Sequence, residues 1–559
     1  MKKLSILLLV FVLFACQTKR EQFTNPILAG FYPDPSICKV GEYYYLVTST
    51  FVYYPGIPVF RSKDLVNWKL ISYVIHKPEI LNVEGSRVSR GLFAPSIRYH
   101  EGLFYVSCTL VDRGGNFIST SADPEKGWND PVWFPQVNGI DPSPFFDEDG
   151  RAYLVYNSIA PDDAPLYDGH RTIRIIEFSK YSIKAIGEES ILVNGGTDLS
   201  KKPVWIEAPH IFKKDGYYYL IAAEGGTAYQ HSEVVFRSKS IKGPYVSYEK
   251  NPILTQRHLD PNRPDPITTT GHADFIETDK GEWWAVFLGS RPYVDKDYYN
   301  NGRETFLTPV KWVDGWPVIN PDFETVQYTY DYPLPKVETD ARPQSGNFVF
   351  KDDFNTEQLA LEWMFLRAPK ETWYSLADTS GSLTLKVRPE QCKDYVNPSF
   401  VGHRQQHLNS AVSTALNFET EKENEKAGLL IFQNEEHFYF LCKSVANGEP
   451  VVQLYQSNVR DSSMTLLTSK TLDRSVTNLQ LKIESKGDQY TFYYATQNGE
   501  WISMDQVVDA KFLSTRVAGG FVGCIYAMYA TSLGEESQAK ARFDWFEYAG
   551  DDDIYRQKP

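Results

Sequence analysis

Residues 34–47 read DPSICKVGEYYYLV: a short polar start, a strand-like run, a Gly, then a second strand-like run with an aromatic residue three places after that Gly. The pattern returns four times. APSI from Ala94 leads to GLFYVS from Gly102, DPSP from Asp141 to GRAYLVY from Gly150, APHI from Ala208 to GYYYLIA from Gly216, and HADF from His272 to GEWWAVF from Gly281. Aromatic and β-branched residues on both sides of a Gly predict two strands joined by a tight turn. A third element recurs downstream in RSKDLVNW (61–68), STSADPEKGW (119–128) and RSKSIKGPY (237–245), which read as outer strands closed by turns. Five such units, their glycines 48 to 66 residues apart and without helical periodicity, predict an all-β fold whose first half is a five-bladed β-propeller. A β-sandwich over the same stretch would leave the recurrence unexplained.

The repeat gathers distant residues. In a propeller the first strand of every blade lines the axis, so equivalent positions face one cavity. The residue before the Pro is Asp34 in the first copy and Asp141 in the third, and His272 holds the corresponding place in the fifth; one place earlier stand Phe93 in the second and Glu207 in the fourth. A single Asp-Pro is ordinarily a turn-capping Asp, but three acids in register need another explanation. Two carboxyls across a sugar-sized gap, one protonated to serve the leaving oxygen and one ionised to act on water or carbon, are the machinery of glycoside hydrolysis. A third carboxylate nearby keeps the proton on the acid by like-charge repulsion. Cation binding is the competing chemistry, and it ranks second because a His without an oxygen-rich loop is a poor Ca²⁺ signal. DEDG (147–150) reads as a charged hairpin turn.

Composition sets limits. Across 559 residues, 42% hydrophobic and 23% charged content exclude disorder and a membrane bundle, and 14% aromatic content leans toward strands and stacking on sugar-like faces. A net charge of -14 argues against a nucleic-acid partner. At the N-terminus, Lys2 and Lys3 precede the apolar LSILLLVFVLFA (4–15), too short to span a bilayer and typical of a secretory signal over residues 1–15. LFAC resembles a bacterial lipobox, with Cys16 as the lipidated first residue. The expectation is an exported lipoprotein in the periplasm or at the outer membrane or cell surface, touching membrane only through that anchor. The other five cysteines lack CxxC spacing and read as buried free thiols rather than zinc ligands or a disulfide frame.

NPILAGFYPDPSI (25–37), GIDPSPFFDEDGRAYLVY (139–156), WIEAPHIFKKDGYYYL (205–220), AEGGTAYQHSEVVFRSKSIKGPY (223–245), GHADFIETDKGEWWAVFLGSRP (271–292) and GRETFL (302–307) together resemble glycoside hydrolase family 43, the five-bladed propellers of β-xylosidases and α-L-arabinofuranosidases. The resemblance implies an inverting mechanism with Asp34 as general base, Glu207 as general acid and Asp141 tuning and orienting the acid. It also implies that Arg291 contacts the sugar at the non-reducing end, and that His272 faces a water or a cation such as Ca²⁺ on the axis. There are departures: Phe93 stands where many relatives have Trp, a smaller stacking platform, and Tyr32 where His or Asn is common.

The stretch after Asp331, YPLPKVETDARPQSG, is rich in Pro and polar residues and divides the chain into a propeller over 22–332, a linker over 333–346 and a second β unit over 347–552. The second unit, with FVGHRQQHLNSAVST (400–414), resembles the concanavalin-like β-sandwich that accompanies one branch of the family. In those relatives a sandwich loop leans over the propeller mouth, and GGFVG (519–523) makes Phe521 the residue expected there. A mouth closed in this way admits only a chain end. The expected activity is exo-acting removal of terminal pentose from xylan-derived oligosaccharides, foremost as a 1,4-β-xylosidase, with α-L-arabinofuranosidase on arabinoxylan or arabinan side chains as the alternative. The chemistry requires no cofactor. A non-catalytic glycan-binding lipoprotein is the reading from another class, disfavoured because a binder needs no buried acids.

Overall fold

The computed structural model describes residues 21–556 apart from 294–297, 380, 461–462 and 497–498; the signal stretch and Cys16 lie outside the described residues. Each copy of the repeat folds into one four-stranded antiparallel sheet, and five such blades surround an axis. Their innermost strands are Ser36–Val40 (blade I), Ser96–His100 (II), Ile140–Phe146 (III), Glu207–Lys214 (IV) and Thr268–Glu277 (V). The repeated glycines occupy the hairpins between first and second strands with φ from 59° to 87°, a conformation open to Gly and costly with a Cβ.

The repeated aromatics hold neighbouring blades together. Tyr44 and Trp284 share one core between blades I and V, Tyr219 packs with Phe275 and Ala285 between IV and V, Tyr153 with Ile211 and Leu220 between III and IV, and Tyr105 with Leu154 between II and III. The ring is closed by the N-terminal segment. Gln22–Thr24 pairs with Thr329–Asp331, and the Asn25 side chain donates to the Leu307 carbonyl (2.9 Å) and accepts from the Leu307 amide (2.9 Å), so the segment 22–25 clamps the last blade.

The second half forms a sandwich of two large antiparallel sheets. It is not free-standing. Tyr53–Tyr54, between the second and third strands of blade I, pairs with Met364–Leu366 and becomes the edge strand of one sandwich sheet. The core between blades I and II, including Val47, Ile97 and Val106, is continuous with the sandwich core around Trp363, Phe400 and Tyr529. The Pro-rich connection is strapped to the propeller, with the Val337 amide donating to Asp64 (2.9 Å) and the Ala29 amide to the Gln344 carbonyl (2.9 Å). Cys38, Cys108, Cys392, Cys442 and Cys524 are buried free thiols. Among the described residues no helix is long and apolar enough to cross a membrane.

Candidate active site

Four of the five repeat positions turn toward the axis through left-handed backbone: φ is 57° at Asp34, 54° at Asp141, 52° at Ala208 and 55° at His272. In blades III, IV and V the pairing of first and second strands slips at these positions, as a β-bulge does. Each such non-Gly residue costs on the order of 1 kcal/mol or more, which persists because the surroundings over-determine it and the bulge re-aims the side chain. Backbone amides are recruited as props. The Ala208 amide donates to Asp141 (3.1 Å), tying that acid to the segment that carries Glu207, and the Ala273 amide donates to the buried Glu233 (2.9 Å), which steadies the bulge at His272.

Two places further along each copy lies a second ring, Ser36, Ser96, Ser143, His210 and Asp274. Ser96 meets Ser36 (3.4 Å) and Ser143 (3.2 Å), Ser143 meets His210 Nδ1 (2.9 Å), and Ser36 donates to Asp274 (2.7 Å). Arg98 closes this layer, its guanidinium reaching Asp274 (2.7 Å) and His210 (2.9 Å). The propeller axis is thus plugged by a hydrogen-bonded disc.

Next to this layer lies a cavity of about 400 Å³, lined by Asp34, Asp141, Glu207 and His272, by Phe51, Phe93 and Phe521, and by Trp205 and Arg303. The three phenylalanines form one aromatic wall, with Phe51 stacked on Phe521 (5.9 Å between centroids) and Phe93 edge-on to both (5.5 and 6.0 Å). Phe521 arrives from the sandwich. Its amide donates to Ser89 (2.9 Å) and its carbonyl accepts from Arg303 (3.3 Å). The approach relies on glycine: a Cβ on Gly302 would stand 2.9 Å from the Gly523 backbone.

The three acids have different proton affinities. Burial alone would raise Asp34, but the Arg303 guanidinium (2.8 Å) and the Ser49 hydroxyl outweigh it and hold its carboxyl below the usual range. Burial and the Asp34 charge push Asp141 up to about 7. Burial, then Asp141 and Asp34, push Glu207 well above an ordinary carboxyl. An ionised acid and a protonated acid therefore flank one cavity, and burial keeps His272 neutral beside them.

Of the residues singled out in the sequence, Asp34, Asp141, Glu207, His272, Phe93 and Phe521 come together here, and Arg291 does not. Arg291 is 2% exposed and makes a bidentate pair with Glu304 (2.6 and 2.9 Å) plus a bond to Asp552 (2.8 Å), so its donors are occupied away from the cavity. Arg303 is the guanidinium in the site. The two arginines flank one loop between the second and third strands of blade V, and Arg303 points inward while its neighbour Glu304 points away to Arg291. The sequence reading also missed Phe51, Ser49 and Trp205; the indole before Ile-Glu in WIEAPH was the one available signal.

The donors near His272 do not suit Ca²⁺, which takes six to eight oxygens. Asp34 is engaged by Arg303 and Ser49, and Asp274 by Arg98 and Ser36, so two guanidinium charges already balance the two ionised carboxylates of the axis.

Known proteins share this fold. Residues 23–317 match Glycosyl hydrolases family 43, and residues 351–549 match the Beta xylosidase C-terminal Concanavalin A-like domain. The chain is 38% identical over 526 residues to a xylosidase/arabinosidase of Butyrivibrio fibrisolvens, covering 93% of this chain and 98% of that one. It is 37% identical over 543 residues to a non-reducing end α-L-arabinofuranosidase of Bacteroides ovatus, covering 95% of each. Among solved structures, the GH43B protein of the Bacteroides ovatus xyloglucan locus superposes with a TM-score of 0.85 at 36% identity over 94% of this chain and 99% of that one. A xylan β-1,4-xylosidase from Bacillus halodurans superposes equally, with a TM-score of 0.85 at 30% identity over 94% of this chain and 100% of that one. The five-bladed propeller, the three acids on its axis and these full-length similarities place the chain in glycoside hydrolase family 43, as a glycosidase with a C-terminal concanavalin-like domain.

Proposed function

We propose that the protein is an exo-acting, inverting pentosidase that removes terminal residues from xylan-derived oligosaccharides, foremost as a β-xylosidase, with α-L-arabinofuranosidase as the alternative. The observation that carries this reading is the separation of proton affinities around one cavity: Asp34 held ionised, Glu207 held protonated. In this reading Glu207 gives its proton to the glycosidic oxygen as the bond from that oxygen to the anomeric carbon breaks. Asp34 takes a proton from the water whose oxygen attacks that carbon, so the proton count closes within the pair. Asp141, bonded to the Ala208 amide beside Glu207, keeps the acid protonated by its proximity and fixes its position. Arg303 holds Asp34 ionised, and the Phe51–Phe93–Phe521 wall covers the apolar face of the sugar.

The plugged axis and the Phe521 loop support exo action, because the cavity ends at the Arg98 layer and a chain can enter only by its end. No step calls for a cofactor. The α-L-arabinofuranosidase alternative is supported by the relatives' names, one of which carries both activities. We propose export through the N-terminal signal and anchoring through a lipid on Cys16, on the strength of the LFAC motif alone. Side-by-side assay on nitrophenyl β-xyloside and nitrophenyl α-L-arabinofuranoside tests the function. Release from either supports the pentosidase, and release from neither favours the glycan-binding reading.

A further inference from the structure

Glu207 shares its short segment with an aromatic residue that the proton chemistry leaves without a task. Trp205 lines the same cavity, half-buried, next to Val204, which is 47% exposed on the solvent side. Its backbone is held in the left-handed region (φ 57°), where a bulky residue is a genuine outlier. Two backbone bonds secure that conformation: the Trp205 amide donates to the Gly169 carbonyl (2.8 Å), and the Gly225 amide donates to the Val204 carbonyl (2.8 Å). The indole lies on the guanidinium of Arg171, 4.0 Å from ring centroid to Cζ, which braces it from behind. A strained backbone and a ring braced by a guanidinium define one orientation of the side chain, so the surroundings hold this indole in place rather than letting it fill space.

The position decides what that ring meets. A group that protonates a leaving oxygen must stand beside that oxygen, so a ring that lines the same cavity two residues before Glu207, outside the phenylalanine wall, is placed for the departing unit rather than for the sugar in the closed end. The closed end has its own aromatic wall in Phe51, Phe93 and Phe521.

We propose that Trp205, backed by Arg171, is the platform for the leaving group: the sugar unit that departs stacks on the indole while Glu207 protonates its oxygen. Trp205 exchanges no proton itself. It binds the leaving unit by its ring. The proposal rests on the reading of Glu207 as the acid.

The test compares a pentosyl disaccharide with the pentosyl fluoride of the same configuration, whose leaving atom is too small to reach the ring. In Trp205→Ala the loss of kcat/KM on the disaccharide exceeds the loss on the fluoride by roughly ten-fold, mainly through KM. Equal losses on the two substrates would mean a merely structural role and overturn the proposal. Trp205→Phe keeps a ring, so it retains most of the disaccharide binding that Trp205→Ala loses, and a Phe variant as weak as the Ala variant overturns the platform. Calorimetric titration of the Asp34→Asn protein with the disaccharide separates the two readings. If Glu207→Ala shows that Glu207 is not the acid, the platform still requires Trp205→Ala to weaken that binding about ten-fold, and undiminished binding removes it.

Discussion

Arg303→Met is the most informative perturbation, because it separates two arginines that the sequence does not distinguish. Arg303 is buried, donates to Asp34 (2.8 Å) and Thr227 (3.0 Å), and reaches the Phe521 carbonyl (3.3 Å). Met keeps most of the side-chain volume and deletes every donor. Removing one partner of a buried ion pair costs about 3 kcal/mol at the lower end of the usual range. If that cost falls on the ionised state of Asp34 needed for turnover, kcat/KM drops by roughly a hundred-fold. The pH dependence gives the sharper signature. Arg303 is the largest influence lowering the Asp34 proton affinity, and a general base, the role proposed for Asp34, works only when ionised, so the acid limb of the profile moves to higher pH without it. Initial rates across the pH range on a nitrophenyl pentoside, with a thermal melt at each pH, measure both effects. Arg291→Met is the control: it strands Glu304 and Asp552 in the interior, so the melting temperature falls while kcat/KM of the folded fraction stays within a few-fold. An unmoved acid limb in Arg303→Met, or a kinetic collapse in fully folded Arg291→Met, would refute this account of the site.

Other outcomes follow from the same geometry. Glu207→Ala should slow substrates with poor leaving groups by about 10²–10⁴ and activated aryl glycosides far less; equal losses would remove Glu207 as the acid. Asp141→Asn deletes the largest like-charge influence on Glu207, so the alkaline limb should shift to lower pH, as a rate profile will show. Proton NMR of the first turnovers on a β-xyloside should show the α-anomer appearing first, and the β-anomer first would contradict inversion. Glu233 is buried with its pKa raised well above 4.5, so the native state holds a proton that the unfolded chain releases. Stability is then lost as pH rises from the ordinary carboxyl value toward the raised one, and Glu233→Gln should raise the melting temperature at pH 7 more than at pH 4.

The propeller was legible because its signal is redundant: each copy carries a turn glycine, an aromatic three places on and a polar start, and the aromatics pack blade on blade as that spacing requires. The acids were legible by register, since a closed ring brings equivalent positions together. The partners that set their charge were not, because they come from outside the repeat position. Ser49 lies beyond the second strand of blade I, and Arg303 and Arg291 sit at the two ends of one loop, where local sequence does not say which turns inward. The axial disc was hidden for a different reason. Ser36, Ser96 and Ser143 look like ordinary strand residues until His210 and Asp274 join them from other blades and Arg98, two places after Ser96, bridges those two. Likewise the shared edge strand at Tyr53–Tyr54 is too short to announce itself as part of another sheet.

That shared strand bears on what the sandwich is for. A recognition module joined by a tether would touch the propeller through a polar, separable surface. Here the two units have one continuous apolar core, a common sheet and a backbone seam where Gly302 meets Gly523 and the Cys524 amide donates to the Asn300 carbonyl (2.7 Å). The seam leads directly to the chemistry. Arg303, the residue after Gly302, holds Asp34 with one nitrogen and the Phe521 carbonyl with the other. The residue that keeps Asp34 ionised is therefore positioned from the propeller on one side and the sandwich on the other. Losing the sandwich would take away one wall of the cavity, an acceptor of Arg303 and the cover over the core between blades I and II at once. The site belongs to both units, and the protonation of its acids depends on their being folded together.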